Sequence, residues 1–555
     1  MDHKPDNSAD TESLGVPAPE GAANLIDTDY QVGQDNYRAK HMGITIDIHG
    51  AVFIVSSIVV IAFVFLSLAL PEQSTSLFEA GKNWINTHLS WFFMFSANIF
   101  VVVCLGLIFS PLGRIRIGGA EAKPDYSRLS WFAMLFAAGM GIGLVFYGVS
   151  EPLTHYGTSF GGVSVGDNGV RTDWAPLAGA EGDPQAALNL GMAATIYHWG
   201  LHPWAIYAIV ALSLSIFSFN KGLPLTIRSI FYPILGERVW GWPGHVIDIL
   251  AVFATLFGLA TSLGIGAQQA AAGLDHLFGL GAGDLTLVLL ITGISAIAIV
   301  SIVAGVDKGV KRLSEINMVL AFALLMFVVV VGPTLLILTS FFTNLTSYLA
   351  ELPALANPFG REDANFSQGW TTFYWAWWIS WSPFVGMFIA RVSRGRSVRE
   401  FLVSVLLIPS LVSVFWMTAF GTTAIHQLQQ GFEGAATAEL PLKLFMMLEH
   451  LPLSEITSFI GIILVIVFFV TSSDSGSLVI DTITAGGKLD APKPQRIFWG
   501  ATEGAIAVAL LLGGGLGALQ AAAISAGLPF TLVLLVGCYS IIRGLMSEPR
   551  PAAKS

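Results

Sequence analysis

The sequence is poor in charge. Only 12% of its 555 residues are Asp, Glu, Lys or Arg, about half of the roughly 25% found in an average soluble domain. With 54% hydrophobic residues and a mean hydropathy of +0.69, it is not a row of soluble domains. It also has too much apolar surface to stay disordered. Cysteine is scarcer still: Cys104 and Cys538, both inside apolar runs, exclude a disulfide scaffold and a Cys-based metal site. No positively charged stretch followed by a short apolar one opens the chain, so no cleavable signal peptide is expected. These absences leave a polytopic membrane protein, and the continuity of its apolar runs makes the expected fold all-α.

A spanning helix needs about 20 mostly apolar residues. Twelve such runs are present, near 49–70, 88–110, 129–149, 188–218, 244–272, 284–304, 314–340, 369–390, 400–420, 453–478, 497–514 and 521–542. They are continuous rather than alternating, which fits helices and not barrel strands. Counting Lys and Arg on alternate sides gives 23 against 4, so the lysine- and arginine-rich side, with both termini, is expected in the cytoplasm. No basic residue falls within a run. Residues 1–45 read as an acidic, disordered cytoplasmic tail, with eight acids against Lys4 before residue 37. The outer segment 150–187 is long and polar and would cap a vestibule. Segment 341–355 reads either as an interfacial helix or as the ragged end of the seventh run.

The third run holds Gly139, Met140, Gly141, Ile142 and Gly143 in its middle. Glycine costs about 1 kcal/mol against Ala in a helix interior, so three at alternate positions favour a break, although small residues also serve close helix packing. Irregular backbone at membrane depth is tolerated where it lines a cavity. There, freed N–H groups suit a carboxylate and freed carbonyls suit a cation. Five of the 15 tryptophans crowd one short piece: Trp370, Trp375, Trp377, Trp378 and Trp381. Trp204 and Tyr207 share a helix face, as do Trp378 and Trp381. Indole faces converging on one space can hold a quaternary ammonium by cation–π attraction. Trp91, Trp131, Trp370 and Trp499 suit an interfacial belt instead.

The segments AAGMGIGLVFYGVSEPLTHY (137–156), HWGLHPWAIYA (198–208) and FYWAWWISWSPFVGMFIARVSRGRSVREF (373–401) resemble the betaine/choline/carnitine transporter family, most of all its sodium-coupled glycine-betaine and ectoine importers. The likeness runs over roughly residues 45–545. It implies a LeuT-type core of two inverted five-helix repeats, spans 3–7 and 8–12, behind two extra spans. The resulting divisions are 46–128, 129–340, 341–368, 369–542 and a short tail, 543–555. A faint echo between LATSLGIG (259–266) and FVTSSDSG (469–476) fits two repeats.

Carried over by position, the resemblance implies an aromatic box of Trp199, Trp204, Tyr207 and Trp378, with Trp381 on the inward path; Trp377 is a further expected substrate-binding residue. The break at Gly139–Gly143 would offer N–H groups to a carboxylate. Choline-specific relatives tend to carry Asp where this chain has Gly143, which favours a zwitterion: glycine betaine, ectoine, proline or carnitine. One family sodium site maps onto Ala137, Met140, Phe468, Thr471 and Ser472. A second maps onto Thr255 and Phe384, but Leu259 replaces its other hydroxyl and cannot ligate a cation. Na⁺ is thus the expected coupling ion, with no other cofactor. The expected setting is the cell membrane, as a homotrimer, with no nucleic-acid partner. Asp248, Glu315 and Asp474 are given structural roles, as is His202; His198 also flanks the tryptophans. Sodium-independent exchange or proton-coupled transport of carnitine or choline is the competing reading. An enzyme is disfavoured: no HExxH, nucleophile elbow or P-loop occurs, and the ionisable residues are not expected to cluster.

Overall fold

The computed structural model describes residues 16–41, 44–167, 171, 175–304, 307–361 and 363–549. A hairpin of β1 (Asn36–His41) and β2 (Ile44–His49) leads into the helices α1 (Gly50–Ala69) and α2 (Pro71–Phe109). His49 caps α1, its Nδ1 accepting the Val52 N–H, which satisfies one of the unpaired donors of the first turn. There follow α3 (Arg128–Gly139), α4 (Ile142–Gly161), α5 (Pro184–Trp199), α6 (Leu201–Ser215), α7 (Trp242–Phe278) and α8 (Asp284–Ala304). The second half holds α9 (Asp307–Val331), α10 (Thr334–Ala356), α11 (Thr372–Val392), α12 (Val398–Gln429), α13 (Ser454–Thr484) and α14 (Lys493–Met546).

Ten helices among the described residues are long and apolar enough to cross a membrane, and α3 with α4 forms a further, bent pair. The 21-residue α11 is not among the ten, because its Trp and Tyr residues score low for hydropathy. The 54-residue α14 counts once, yet it is broken at Gly514–Gly515, where Gly515 has φ +58°, a conformation that favours glycine. Burial separates the layers. In the stretch 184–220 that contains α5 and α6, 94% of the most apolar window is inside the protein, against 28% for α1 and 28% for α8. Phe65, Leu285, Val319 and Leu335 are exposed on the outer helices, an apolar surface suited to lipid rather than water.

The structure corrects the expected disorder of residues 1–45 over 16–41; residues 1–15 lie outside those described. Tyr30 stacks on Trp240 at 4.1 Å and accepts from Arg228 Nη2 at 2.8 Å. Glu20 pairs with Arg394 at 2.6 Å, and Asp47 with Lys488. This strap lies across one end of the bundle, called here the N-terminal face. The acidic composition misled because a few buried apolar and aromatic groups outweigh it. Segment 341–355 belongs to α10, a separate helix divided from α9 by Gly332 and Pro333, so it is not the ragged end of the seventh run. Trp131 and Trp499 are buried in protein, their indoles donating to Ser393 and Thr484, not in an interfacial belt.

Candidate functional site

Glycine interrupts the third apolar run, as the sequence suggests. Between α3 and α4, Met140 and Gly141 are extended (φ/ψ −88°/130° and −169°/−178°), and the two halves bend by 62°. Beside the break lies a cavity of about 650 Å³. The stretch Ala137–Leu144 forms one wall, and the indoles of α5 and α11 form another. The cavity extends past Trp381 and Phe384 to Arg391 and Tyr126, toward the N-terminal face. Arg391, at this mouth, is the one charged residue among the described lining.

The aromatic wall is built from perpendicular rings. Trp199 meets Trp378 at 5.2 Å and 90°, and Tyr207 meets Trp378 at 5.5 Å and 80°. Trp377 lies beside Trp378 at 5.6 Å and 25°. Their indole N–H groups are engaged with protein. Trp199 donates to Glu151 Oε2 (2.7 Å), Trp377 to Ser262 Oγ (3.0 Å) and Trp378 to the His198 carbonyl (3.0 Å). What these residues offer the cavity is therefore ring surface, whose negative face attracts a cation. The Tyr207 hydroxyl is buried without a protein partner among the described residues.

Of the anticipated substrate-binding residues, Trp199, Tyr207, Trp377, Trp378 and Trp381 line the cavity, as do Gly139 to Gly143. Trp204 does not. It is buried one layer behind, edge-on to Tyr207 at 5.3 Å, where a Cβ on Gly139 would come within 3.2 Å of its ring. Ala137, Met140, Phe468, Thr471 and Ser472 lie on the same cavity. Thr471 Oγ1 donates back to the Val467 carbonyl at 3.0 Å, which leaves its lone pairs free to accept or ligate. Phe384 lines the cavity, but Thr255 is buried away from it and donates to the Ala251 carbonyl at 2.7 Å. Leu259 packs where a Cβ on Gly476 would lie 2.4 Å from it, so the two echoing stretches touch.

Two of the three acids, Asp248 and Asp474, sit in ion pairs. Asp248 pairs with the buried Arg228 at 3.1 Å, and Asp474 with Arg496 of α14 at 3.1 Å. His202 bonds Asn98 and stacks on Trp375. The expectation that ionisable groups do not cluster is corrected: Glu151, His155 and His198 are buried together, their ligand atoms within 4.8 Å of one another. His198 Nδ1 approaches Glu151 Oε1 at 2.6 Å, a direct hydrogen bond with no room for an ion between these atoms. Sequence reasoning missed Glu151 because the apolar run ends near 149, whereas α4 continues to Gly161. The spacing Glu151–His155, one helical turn, was the available signal.

A bundle of apolar helices with a bent helix pair beside a cavity walled by indoles is a membrane protein built to enclose a small molecule. The sequence model of the betaine/carnitine/choline family of transporters matches residues 51–550, and the chain belongs to that family. It is 64% identical over 542 residues to a glycine betaine/proline/choline transporter of Vibrio parahaemolyticus, covering 98% of each chain. It is 51% identical to a glycine betaine/proline/choline/ectoine transporter of the same organism, covering 94% of this chain and 91% of that one. A glycine betaine transporter of Bacillus subtilis is 42% identical, with 91% and 96% covered. The protein is a transporter, not an enzyme.

Proposed function

We propose that this protein imports glycine betaine, and related zwitterions such as proline and ectoine, by Na⁺-coupled symport. The observation that carries this reading is the perpendicular box of Trp199, Trp378 and Tyr207 beside the break at Met140–Gly141. A quaternary ammonium has no N–H to donate, so ring faces are its natural partners. The first turn of α4 has N–H groups without partners inside the helix, suited to the substrate carboxylate. Thr471, Ser472, Ala137 and Met140 all line the cavity, and the hydroxyls of the first two with the carbonyls of the last two would supply the hard oxygen atoms that Na⁺ takes. The separation of Thr255 from the cavity, with Leu259 in place of a hydroxyl, supports one sodium per substrate.

The same reading takes α11 and both halves of α14 as spans, giving twelve with α10 lying apart, arranged as inverted repeats over spans 3–7 and 8–12. The N-terminal face is then cytoplasmic, in the cell membrane, and the cavity is open inward. Rocking one repeat against the other would move the opening to the far side. The homotrimer is carried forward from the family resemblance alone. The test is uptake of labelled glycine betaine into proteoliposomes, with proline, ectoine, carnitine and choline as competitors. Competition strongest for glycine betaine supports the reading; uptake of choline or carnitine alone, unaffected by betaine, contradicts it.

A further inference from the structure

Glu151 stands one layer behind the aromatic box, fully buried on α4. Four groups converge on its two oxygens. Trp199 Nε1 and the Tyr374 hydroxyl approach Oε2 at 2.7 and 2.6 Å, and His198 Nδ1 and His155 Nε2 approach Oε1 at 2.6 and 3.3 Å. An indole N–H can only donate, so Oε2 accepts from Trp199, and the four neighbours together can satisfy a carboxylate anion. Burying such a charge is costly unless it is hydrogen-bonded, and here it is bonded to the ring that walls the cavity. An anion on the indole N–H pushes electron density into the ring and deepens the negative face that a cation meets. Because Glu151 is fully buried, its charge also reaches further than it would in solvent.

We propose that Glu151 is a positioning residue that also lends negative charge to the box through Trp199, and so sets its preference for a quaternary ammonium over an uncharged group of the same shape. This inference rests on the proposed function, in which the box holds such a group. The Tyr374 ring, edge-on to Trp199 at 5.5 Å and stacked on His198 at 4.6 Å, holds the same carboxylate in place.

The test uses the purified full chain and two ligands of one shape, glycine betaine and 3,3-dimethylbutanoate, in which carbon replaces the charged nitrogen. Binding is followed by tryptophan fluorescence. Wild type should prefer betaine. Glu151→Gln should weaken betaine by roughly ten-fold, the scale of one lost charge interaction, while leaving the isostere unchanged or tighter. A purely structural role would weaken both by the same factor, and that result, or no change in either, overturns the proposal. Glu151→Asp keeps the charge on a shorter arm. Folded Glu151→Asp that still prefers betaine supports the proposal, and loss of that preference overturns it even if Glu151→Gln does not fold. Wild type that binds neither ligand would overturn the functional reading itself.

Discussion

A Cβ added to Gly143 would lie 2.8 Å from Cη2 of Trp377 and 2.9 Å from Cη2 of Trp199. Real Cβ atoms do not approach that closely, so the glycine is what lets two indoles close over the break. Gly143→Ala should therefore raise the KM for glycine betaine by roughly ten-fold through displaced rings alone, on the scale of 1–3 kcal/mol for overpacking. Gly143→Asp adds a carboxylate to the same displacement and should improve choline relative to betaine. Paired uptake measurements check this; an alanine variant with unchanged KM would contradict it.

Trp378 and Trp204 should behave differently despite their similar place in the sequence pattern. Trp378 lines the cavity, whereas Trp204 packs behind it. Trp378→Leu should weaken betaine binding by at least ~10-fold, from cation–π loss of about 1–2 kcal/mol with desolvation. Trp204→Phe, which keeps most of the packing, should shift binding by only about 2- to 3-fold. Equal losses in a fluorescence titration would argue against this division of the box.

Sodium dependence provides a third comparison. Ser472→Ala and Thr471→Val should raise the Na⁺ concentration for half-maximal uptake, because each removes an oxygen at the cavity wall. Thr255→Val should leave that concentration within about two-fold, since its hydroxyl bonds the Ala251 carbonyl away from the cavity. Sodium titration of uptake in the three variants decides it.

The strap should respond to acid through His49. Burial first, then the Arg228 and His245 charges, push the His49 pKa from its ordinary 6.5 to about 3. The docked strap thus binds fewer protons than the undocked one. Its contribution is complete above pH 6.5 and is lost as pH falls toward about 3. Limited proteolysis between residues 20 and 48 should accelerate from pH 7.5 to pH 5 at constant protease activity. His49→Gln should flatten that dependence.

Much of this arrangement is legible from residue order. The break at Gly139–Gly143 follows from glycine's cost in a helix, and the shared face of Trp378 and Trp381 follows from helical spacing. Trp204 misleads because spacing fixes a face but not the layer, and its ring turns against Gly139. Glu151 escapes because hydropathy ends a span at the first polar residue, whereas buried partners carry α4 onward to Gly161. The strap escapes because composition averages over Tyr30 and Arg228, whose contact depends on residues 198 positions apart.

The central claim is that a carboxylated quaternary ammonium crosses with sodium through this aromatic box. The most direct measurement is uptake of radiolabelled glycine betaine into proteoliposomes under an inward Na⁺ gradient, compared with an equal K⁺ gradient. The account predicts saturable accumulation with Na⁺ and only background with K⁺. Equal accumulation in both, or accumulation driven by a proton gradient alone, would contradict it.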